Sequence, residues 1–206
     1  MQILLATTNA GKIRELTQIL SGRGNGVRGL DVLPGYVPPI ETGRTFEENS
    51  RLKARAVRQY LLSRPGAVAD AANLLILADD SGLECEDLNG APGVDSAYFA
   101  GPHSTDLENN RKLILELAKI LQPTRRACYV CLLVCLAPDG TEKIVRGSCE
   151  GLIVDSPRGT NGFGYDPHFF LPEYGMTMAE LPAETKNQIS HRGRALREMF
   201  GVKMSS

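Results

Sequence analysis

Adjacent carboxylates at Asp79 and Asp80, followed by Ser81 and a glycine, are residues of a type that could do acid–base or metal chemistry. One carboxylate can activate a water as general base or hold a hard cation while the other orients it. Consecutive strand residues point to opposite faces, so the two need not share one role. The continuous apolar run from Leu74 to Ala78 predicts a strand buried on both faces. It would end at the acidic pair, and ligands of open α/β sheets gather at strand carboxyl ends. An Asx-type turn explains the same residues, since Asp, Ser and Gly all favour turns.

Thr7, Thr8, Asn9, Ala10, Gly11 and Lys12 join the apolar run Gln2 to Ala6 to a stretch of helical apolar spacing, Ile13 to Leu20. A strand, a small polar loop with a glycine and a helix together present backbone N–H groups to a phosphate. Lys12 would add a point charge at the helix start. The loop is not a Walker sequence, because the first glycine and the final hydroxyl are missing. An ordinary strand-to-helix turn is the competing reading.

A long amphipathic helix is predicted from about Phe46 to Leu62, with Thr45 and Glu48 at capping-box spacing and Pro65 and Gly66 ending it. At about 100° per residue, Phe46, Ala56, Val57 and Tyr60 share one face, with Asn49 and Lys53 in its middle. Arg51, Arg55 and Arg58 lie opposite. An inward ammonium costs free energy unless it is paired or reaches a polar cleft. Lys53 therefore reads as facing a ligand, against the alternative of a lysine snorkelling at the core edge.

The last third carries TNGFGYDP at 160–167 and KNQISHR at 186–192. Ser190 has the character of a helix N-cap, which puts His191 and Arg192 in the first turn, where cations oppose the helix dipole. An anionic or carbonyl-bearing ligand would compensate. Phe163, between glycines, offers a face on which a base can stack. A core aromatic and a solvated basic helix start explain the same residues. Cys128, Cys131 and Cys135 cannot converge on one metal from a strand, since Cys128 points opposite to the other two. They read as core residues, and His103 and His168 lack ligand-like neighbours.

The elements that must position these residues are mixed along the chain. The glycine-rich stretch 21–29 reads as a turn or mobile loop, and 34–43 and 88–101 read as loops. Thr105 and Glu108 form a second capping box for a helix to about Leu121. Ala127 to Ala137, a PDG turn and Glu142 to Cys149 read as a long hairpin. A glycine-rich loop, a short aromatic strand and a helix from about Ser190 complete the chain. No repeat, low-complexity linker or domain boundary is visible, so α/β or mixed α+β is the expected class.

The 206 residues are 42% hydrophobic and 23% charged, a soluble globular composition. With 23 basic and 24 acidic residues the net charge is -1, which disfavours extended nucleic-acid binding. No apolar run approaches the roughly 20 residues that span a bilayer. The N-terminal residues lack a secretory pattern, and the five cysteines suit reduced thiols, so a cytoplasmic location is expected.

TTNAGK, ETGRTFEENSRLKA, ADDSGLECEDLNGAPG, and GTNGFGYDP followed by KNQISHR resemble, in order and spacing, the inosine triphosphate pyrophosphatase family, also described as dITP/XTP pyrophosphatases. The resemblance covers nearly the whole chain; the segments 21–29 and 65–75 look like loop variation between motifs. It implies a single domain, 1–206, of two lobes around a substrate cleft, with an elongated mixed central sheet and flanking helices, assembled as a homodimer. It also implies magnesium-dependent hydrolysis of ITP, dITP or XTP to the monophosphate and pyrophosphate, which removes non-standard purines from the nucleotide pool. Carried onto this chain, Thr7 to Lys12 and Lys53 would hold the triphosphate. Asp80 would be the general base, close to metal, and Ser81 would contact substrate. Phe163, Gly164, Tyr165, Asp166, Lys186, His191 and Arg192 would bind the base end. Glu41 is the candidate for a second carboxylate at the metal, with Glu47 and Glu48 competing for that role.

Overall fold

The computed structural model describes residues 1–21, 25–64, 66 and 73–201. The helix stop expected at Pro65, residues 22–24 of the glycine-rich stretch, and residues 67–72 of the second loop variation lie outside the described residues. The elements run β1 (Gln2–Leu5), α1 (Ala10–Ser21), β2 (Gly26–Arg28), α2 (Phe46–Ser63), β3 (Leu74–Cys85), α3 (Asp106–Ala118), β4 (Arg126–Leu136), β5 (Glu142–Ile153), β6 (Phe169–Leu171), β7 (Met176–Thr177), α4 (Ala183–Ile189) and α5 (His191–Phe200). The strands form a seven-stranded sheet in the order β2-β1-β3-β4-β5-β6-β7. β1 pairs parallel with β2 and β3, while β6 pairs antiparallel with β5 and β7, so the sheet is mixed as expected.

The chain divides into two compact units. The first comprises Met1–Asp80, Leu132–Arg146 and the stretch from Ala195; the second comprises Ser81–Cys131 and Gly147–Arg194. Each unit has its own buried apolar cluster. In the first, Leu4, Ala6, Val57, Ile76 and Val134 pack together; in the second, Leu83, Leu113, Tyr129, Phe169 and Met178 do. Burial of this kind supplies most of the driving force for each unit.

The strand from Leu74 differs from its expected length in a way that matters for the chemistry. β3 does not stop at Ala78 but runs through Asp79, Asp80 and Ser81 to Cys85, so neither a strand end nor an Asx turn describes the acidic pair. Leu83 and Cys85 are buried beyond it, which gives the strand a reason to stay in the sheet. What does end near the pair is the parallel pairing. β1 matches β3 only as far as Leu5 opposite Leu77, and the Ala6 N–H makes a last bond to the Leu77 carbonyl at 2.8 Å.

α2 buries Phe46, Asn49, Ser50, Lys53, Ala54 and Val57. Ser50 and Ala54 thus replace the expected Ala56 and Tyr60, which are half-buried. Small residues let the helix lie close to the sheet, and the Ser50 hydroxyl donates to the Leu132 carbonyl at 2.7 Å. On the outer face Arg51 and Arg55 reach Glu142 at 3.0 and 3.3 Å. Thr45 caps α2 through the Glu48 N–H, but the Glu48 carboxylate accepts from Arg44 N–H rather than closing the box. At α3 the box of Thr105 and Glu108 is complete, and the helix ends at Ala118, short of Leu121. β5 continues past Cys149 to Ile153. The five cysteines are free, and burial pushes the Cys85 thiol up to about 12 and the Cys149 thiol to about 11. Among the described residues no helix is long and apolar enough to cross a membrane.

Because the Thr105 side chain satisfies an amide that the helix cannot, Thr105→Ala should lower the unfolding free energy by about 1 kcal/mol. A urea melt reads this as a lower midpoint at unchanged slope; an unmoved midpoint would remove the cap from the account.

Candidate active site

In the first unit, the loop after β1 is organised by Asn9. Its side-chain oxygen accepts the Lys12 N–H at 3.0 Å, and its own N–H donates to Thr7 Oγ1 at 3.2 Å. That cap leaves Ala10 and Gly11 heading α1, where helix geometry directs their amides outward. Thr8 is exposed. The Lys12 ammonium turns to β3, lying 2.7 Å from Asp79 and 4.0 Å from Asp80.

Lys53, from the middle of α2, reaches the same strand. Its Nζ stands 2.9 Å from Asp80 Oδ1 and 3.1 Å from Glu41 Oε2. One turn earlier on α2, Asn49 donates from Nδ2 to Asp80 Oδ2 at 3.3 Å and accepts the Gly43 N–H at 2.8 Å through Oδ1. Gly43 has no room for a side chain: a Cβ there would sit 2.5 Å from Asn49 Oδ1. Asp79 is 0% and Asp80 6% exposed, so both carboxylates have left water. Burial pushes the Asp80 carboxyl above the ordinary carboxylate range, against the weaker downward pull of Lys12 and Lys53. For Lys53 burial acts downward, but Asp80, Glu41 and Asp79 together outweigh it and hold the ammonium above its usual value. A charged lysine thus faces a carboxylate that accepts a proton more readily than an ordinary aspartate does.

The second unit holds a second set. Lys186, near the end of α4, is buried against Asp166, whose Oδ2 also accepts the Phe163 N–H at 2.9 Å. The Phe163 ring carries the Lys186 ammonium 5.2 Å and the Arg192 guanidinium 5.7 Å from its centroid. Arg192 is buried and donates to Ser81 Oγ at 2.8 Å. His191 stacks on Tyr129 at 4.7 Å. Ser190 both ends α4 and caps α5, accepting the Gly193 N–H at 3.2 Å through its hydroxyl. The two helices meet so closely that a Cβ on Gly193 would lie 1.9 Å from the Asn187 carbonyl oxygen. Gly162 is fixed in the same way, since a Cβ would meet Asp166 Oδ2 at 2.0 Å.

The predicted residues therefore fall into two sets: Lys12, Lys53, Asp80 and Glu41 in the first unit; Ser81, Phe163, Asp166, Lys186 and Arg192 in the second. Asp80 and Ser81 are consecutive, so one peptide bond joins them. Tyr165 is not brought to either set. It lies in the apolar core, donates its hydroxyl to the Ser96 carbonyl at 2.8 Å, and burial pushes its phenol up. Glu47 pairs with Arg51 at 3.1 Å and the Glu48 carboxylate accepts the Arg44 N–H at 2.6 Å, which leaves Glu41 as the glutamate beside Asp80 and Lys53. Sequence reasoning missed Asn49 as a partner of Asp80, although an amide on a buried helix face was the available signal. Gly43, Gly162 and Gly193 carried no such signal.

Known proteins share this arrangement of elements. The Ham1 family model matches residues 3–202. A dITP/XTP pyrophosphatase of Clostridium perfringens is 42% identical over 198 residues, covering 96% of this chain and 95% of that protein. One from Geobacter sulfurreducens is 44% identical over 195 residues, covering 95% and 92%. Among solved structures, a HAM1 protein from Coxiella burnetii superposes with a TM-score of 0.80 at 36% identity, covering 97% of this chain and 96% of that one. The chain belongs to the Ham1 family.

The charge balance around Asp80 predicts a titration. In the ligand-free protein its carboxyl should titrate above the ordinary value of about 4. Lys53→Met should move it higher, since removing a positive neighbour disfavours the carboxylate. Arg55→Met, on the opposite face, should leave it in place. Carboxyl carbon chemical shifts followed against pH would check both, and an unmoved Asp80 in Lys53→Met would refute the assigned coupling.

Proposed function

We propose that this chain hydrolyses deaminated purine nucleoside triphosphates, ITP, dITP and XTP, to the nucleoside monophosphate and pyrophosphate with the help of magnesium. The observation that carries the reading is the buried Asp80 carboxylate bracketed by Lys12 and Lys53, in a chain whose relatives bear the name dITP/XTP pyrophosphatase. Asp80 takes the proton of a water as that water's oxygen bonds to the α-phosphorus. The α–β bridging oxygen then departs with pyrophosphate. Lys12, Lys53 and the amides between Thr7 and Lys12 hold the triphosphate and offset charge on the leaving group.

The residues fit a magnesium ion. Asp80 and Glu41 both reach the Lys53 ammonium, at 2.9 and 3.1 Å, so two hard oxygen donors already converge on one cationic position. Among the described residues no group of three or more His, Cys, Asp or Glu is placed to hold a metal. Magnesium needs no such cage, since it keeps waters and takes substrate phosphates as ligands. Asp80 and Glu41 would hold it, and when bound it would neutralise charge on the phosphates.

At the base end, Phe163 is the stacking platform, with Gly164, Asp166, Lys186 and Arg192 beside it, His191 as a further donor from its place on Tyr129, and Ser81 touching substrate beside Arg192. Tyr165 braces this loop from the core. Hypoxanthine and xanthine carry a 6-oxo acceptor where adenine has an amino donor. Donors from Lys186, His191 or Arg192 pair with the former and conflict with the latter. An unpaired buried group costs roughly 1–3 kcal/mol, so two mismatches give about 10²-fold selectivity or more. The reading extends to a cytoplasmic homodimer.

Product analysis with dITP tests the reaction: dIMP and pyrophosphate are expected, whereas dIDP and phosphate would sink the reading. Asp80→Asn should keep nucleotide binding while losing roughly 10²–10⁴ in turnover, the usual worth of a general base. On α2, Lys53→Ala should raise the KM for dITP far more than Arg55→Ala; equal effects would mean that Lys53 does not hold the triphosphate.

A further inference from the structure

The Phe163–Gly164 pair has every backbone polar group engaged. Within the loop, the Phe163 N–H donates to Asp166 Oδ2 at 2.9 Å and the Phe163 carbonyl accepts the Asp166 N–H at 3.3 Å. The other two bonds come from α3. The Gly164 N–H donates to Asp106 Oδ2 at 2.7 Å, and the Gly164 carbonyl accepts from Asn110 Nδ2 at 2.8 Å. Asp106 and Asn110 are four apart and so share one side of the helix. They are also linked to each other, since Asn110 Nδ2 donates to the Asp106 carbonyl at 2.8 Å.

Local chemistry favours a purpose for this clamp. Asparagine is a poor helix-interior residue, because its amide competes with the backbone. Yet Asn109 and Asn110 stand side by side in α3, and both are buried. They serve different loops. Asn109 accepts from Ala100 N–H and the Ser104 hydroxyl, each at 2.8 Å, while Asn110 grips Gly164. Asp106, in the first turn, is an acceptor at a position where the helix dipole favours a carboxylate. Gly164 itself adopts a φ of 63°, and a Cβ there would meet no atom within 4 Å. Its glycine is therefore demanded by backbone conformation rather than by space.

The structure assigns Asp106 and Asn110 as positioning residues for nucleobase recognition: from α3 they fix the two peptides that flank Gly164, and so the backbone that carries the Phe163 ring to Lys186 and Arg192. They touch no reacting atom, and their effect passes through Phe163. A stacking platform displaced by a fraction of an ångström loses contact with the base while the phosphate end keeps its geometry. This rests on the reading of Phe163 as the base platform.

Steady-state kinetics of the full chain on dITP, with melting temperatures to establish folding, decide it. Asn110→Asp turns the donor into an acceptor facing the Gly164 carbonyl and should raise KM about tenfold, with kcat changed less than about threefold. Asp106→Ala, at an exposed position, should act in the same direction and carries the test if Asn110→Asp does not fold. Asp106→Asn retains an acceptor and should recover most of the loss. Phe163→Ala should itself raise KM, and Asn110→Asp added to it should cost little more, because coupled residues do not add. Unchanged KM in Asn110→Asp and Asp106→Ala, a fall in kcat instead, or fully additive effects with Phe163→Ala would overturn the assignment. An unchanged KM in Phe163→Ala would overturn the platform reading itself.

Discussion

A carboxylate inside a sheet is the constraint around which the first unit is arranged. β3 carries Asp79 and Asp80 past the point where β1 leaves it, and both are buried. Unpaired, either charge would cost several kcal/mol or would take up a proton. Two helices supply the partners. α1 begins so that Lys12, in its first turn, reaches Asp79, and α2 is rotated so that Lys53 and Asn49 face Asp80. The rotation of α2 is set by those polar residues as much as by its apolar ones. It is why Ser50 and Ala54, neighbours of Asn49 and Lys53 on the helix surface, are buried in place of Ala56 and Tyr60.

The second unit meets the same constraint with another device. Lys186 and Asp166 form a buried pair, and Arg192 is buried with Ser81 as an acceptor. Bringing them together requires an abrupt turn between α4 and α5, which Ser190 makes by ending one helix and capping the next. Close approach then excludes side chains at Gly162 and Gly193. Donors held this way lose little freedom when a ligand arrives, which is the usual route by which a polar site gains selectivity without added contacts.

Much of this was legible in the residues, and the exceptions have physical causes. Lys53 could be placed because an ammonium in the middle of an apolar helix face is a local contradiction. The Thr105 box could be placed because its two partners are close in sequence. The length of β3 could not, since the acidic pair looks like a turn until Leu83 and Cys85 are known to be buried on the same strand. β2 was hidden in a glycine-rich stretch because its hydrogen bonds to β1 use backbone alone. α4 is seven residues long and follows Pro182, which gives it no side-chain cap, so neither periodicity nor capping announces it. Tyr165 shares a motif with Phe163, but motif membership does not say which way a side chain turns. Phe163 faces the cations, and Tyr165 faces the core.

Asp80 and Ser81 give the arrangement its logic. They are adjacent on one strand, and each belongs to a different unit and a different set of partners. Alternation along a strand would send their side chains to opposite faces, so neither could be moved to the other's role by rotamer change alone. On the proposed reading, the step that breaks the anhydride and the contacts that judge the base are therefore separated by side-chain direction yet tied by a single peptide bond. Substitutions at Phe163, Lys186 or Arg192 can then alter which base is accepted while Asp80 keeps its lysines, and substitutions at Lys12 or Lys53 can alter turnover while the base contacts stay intact.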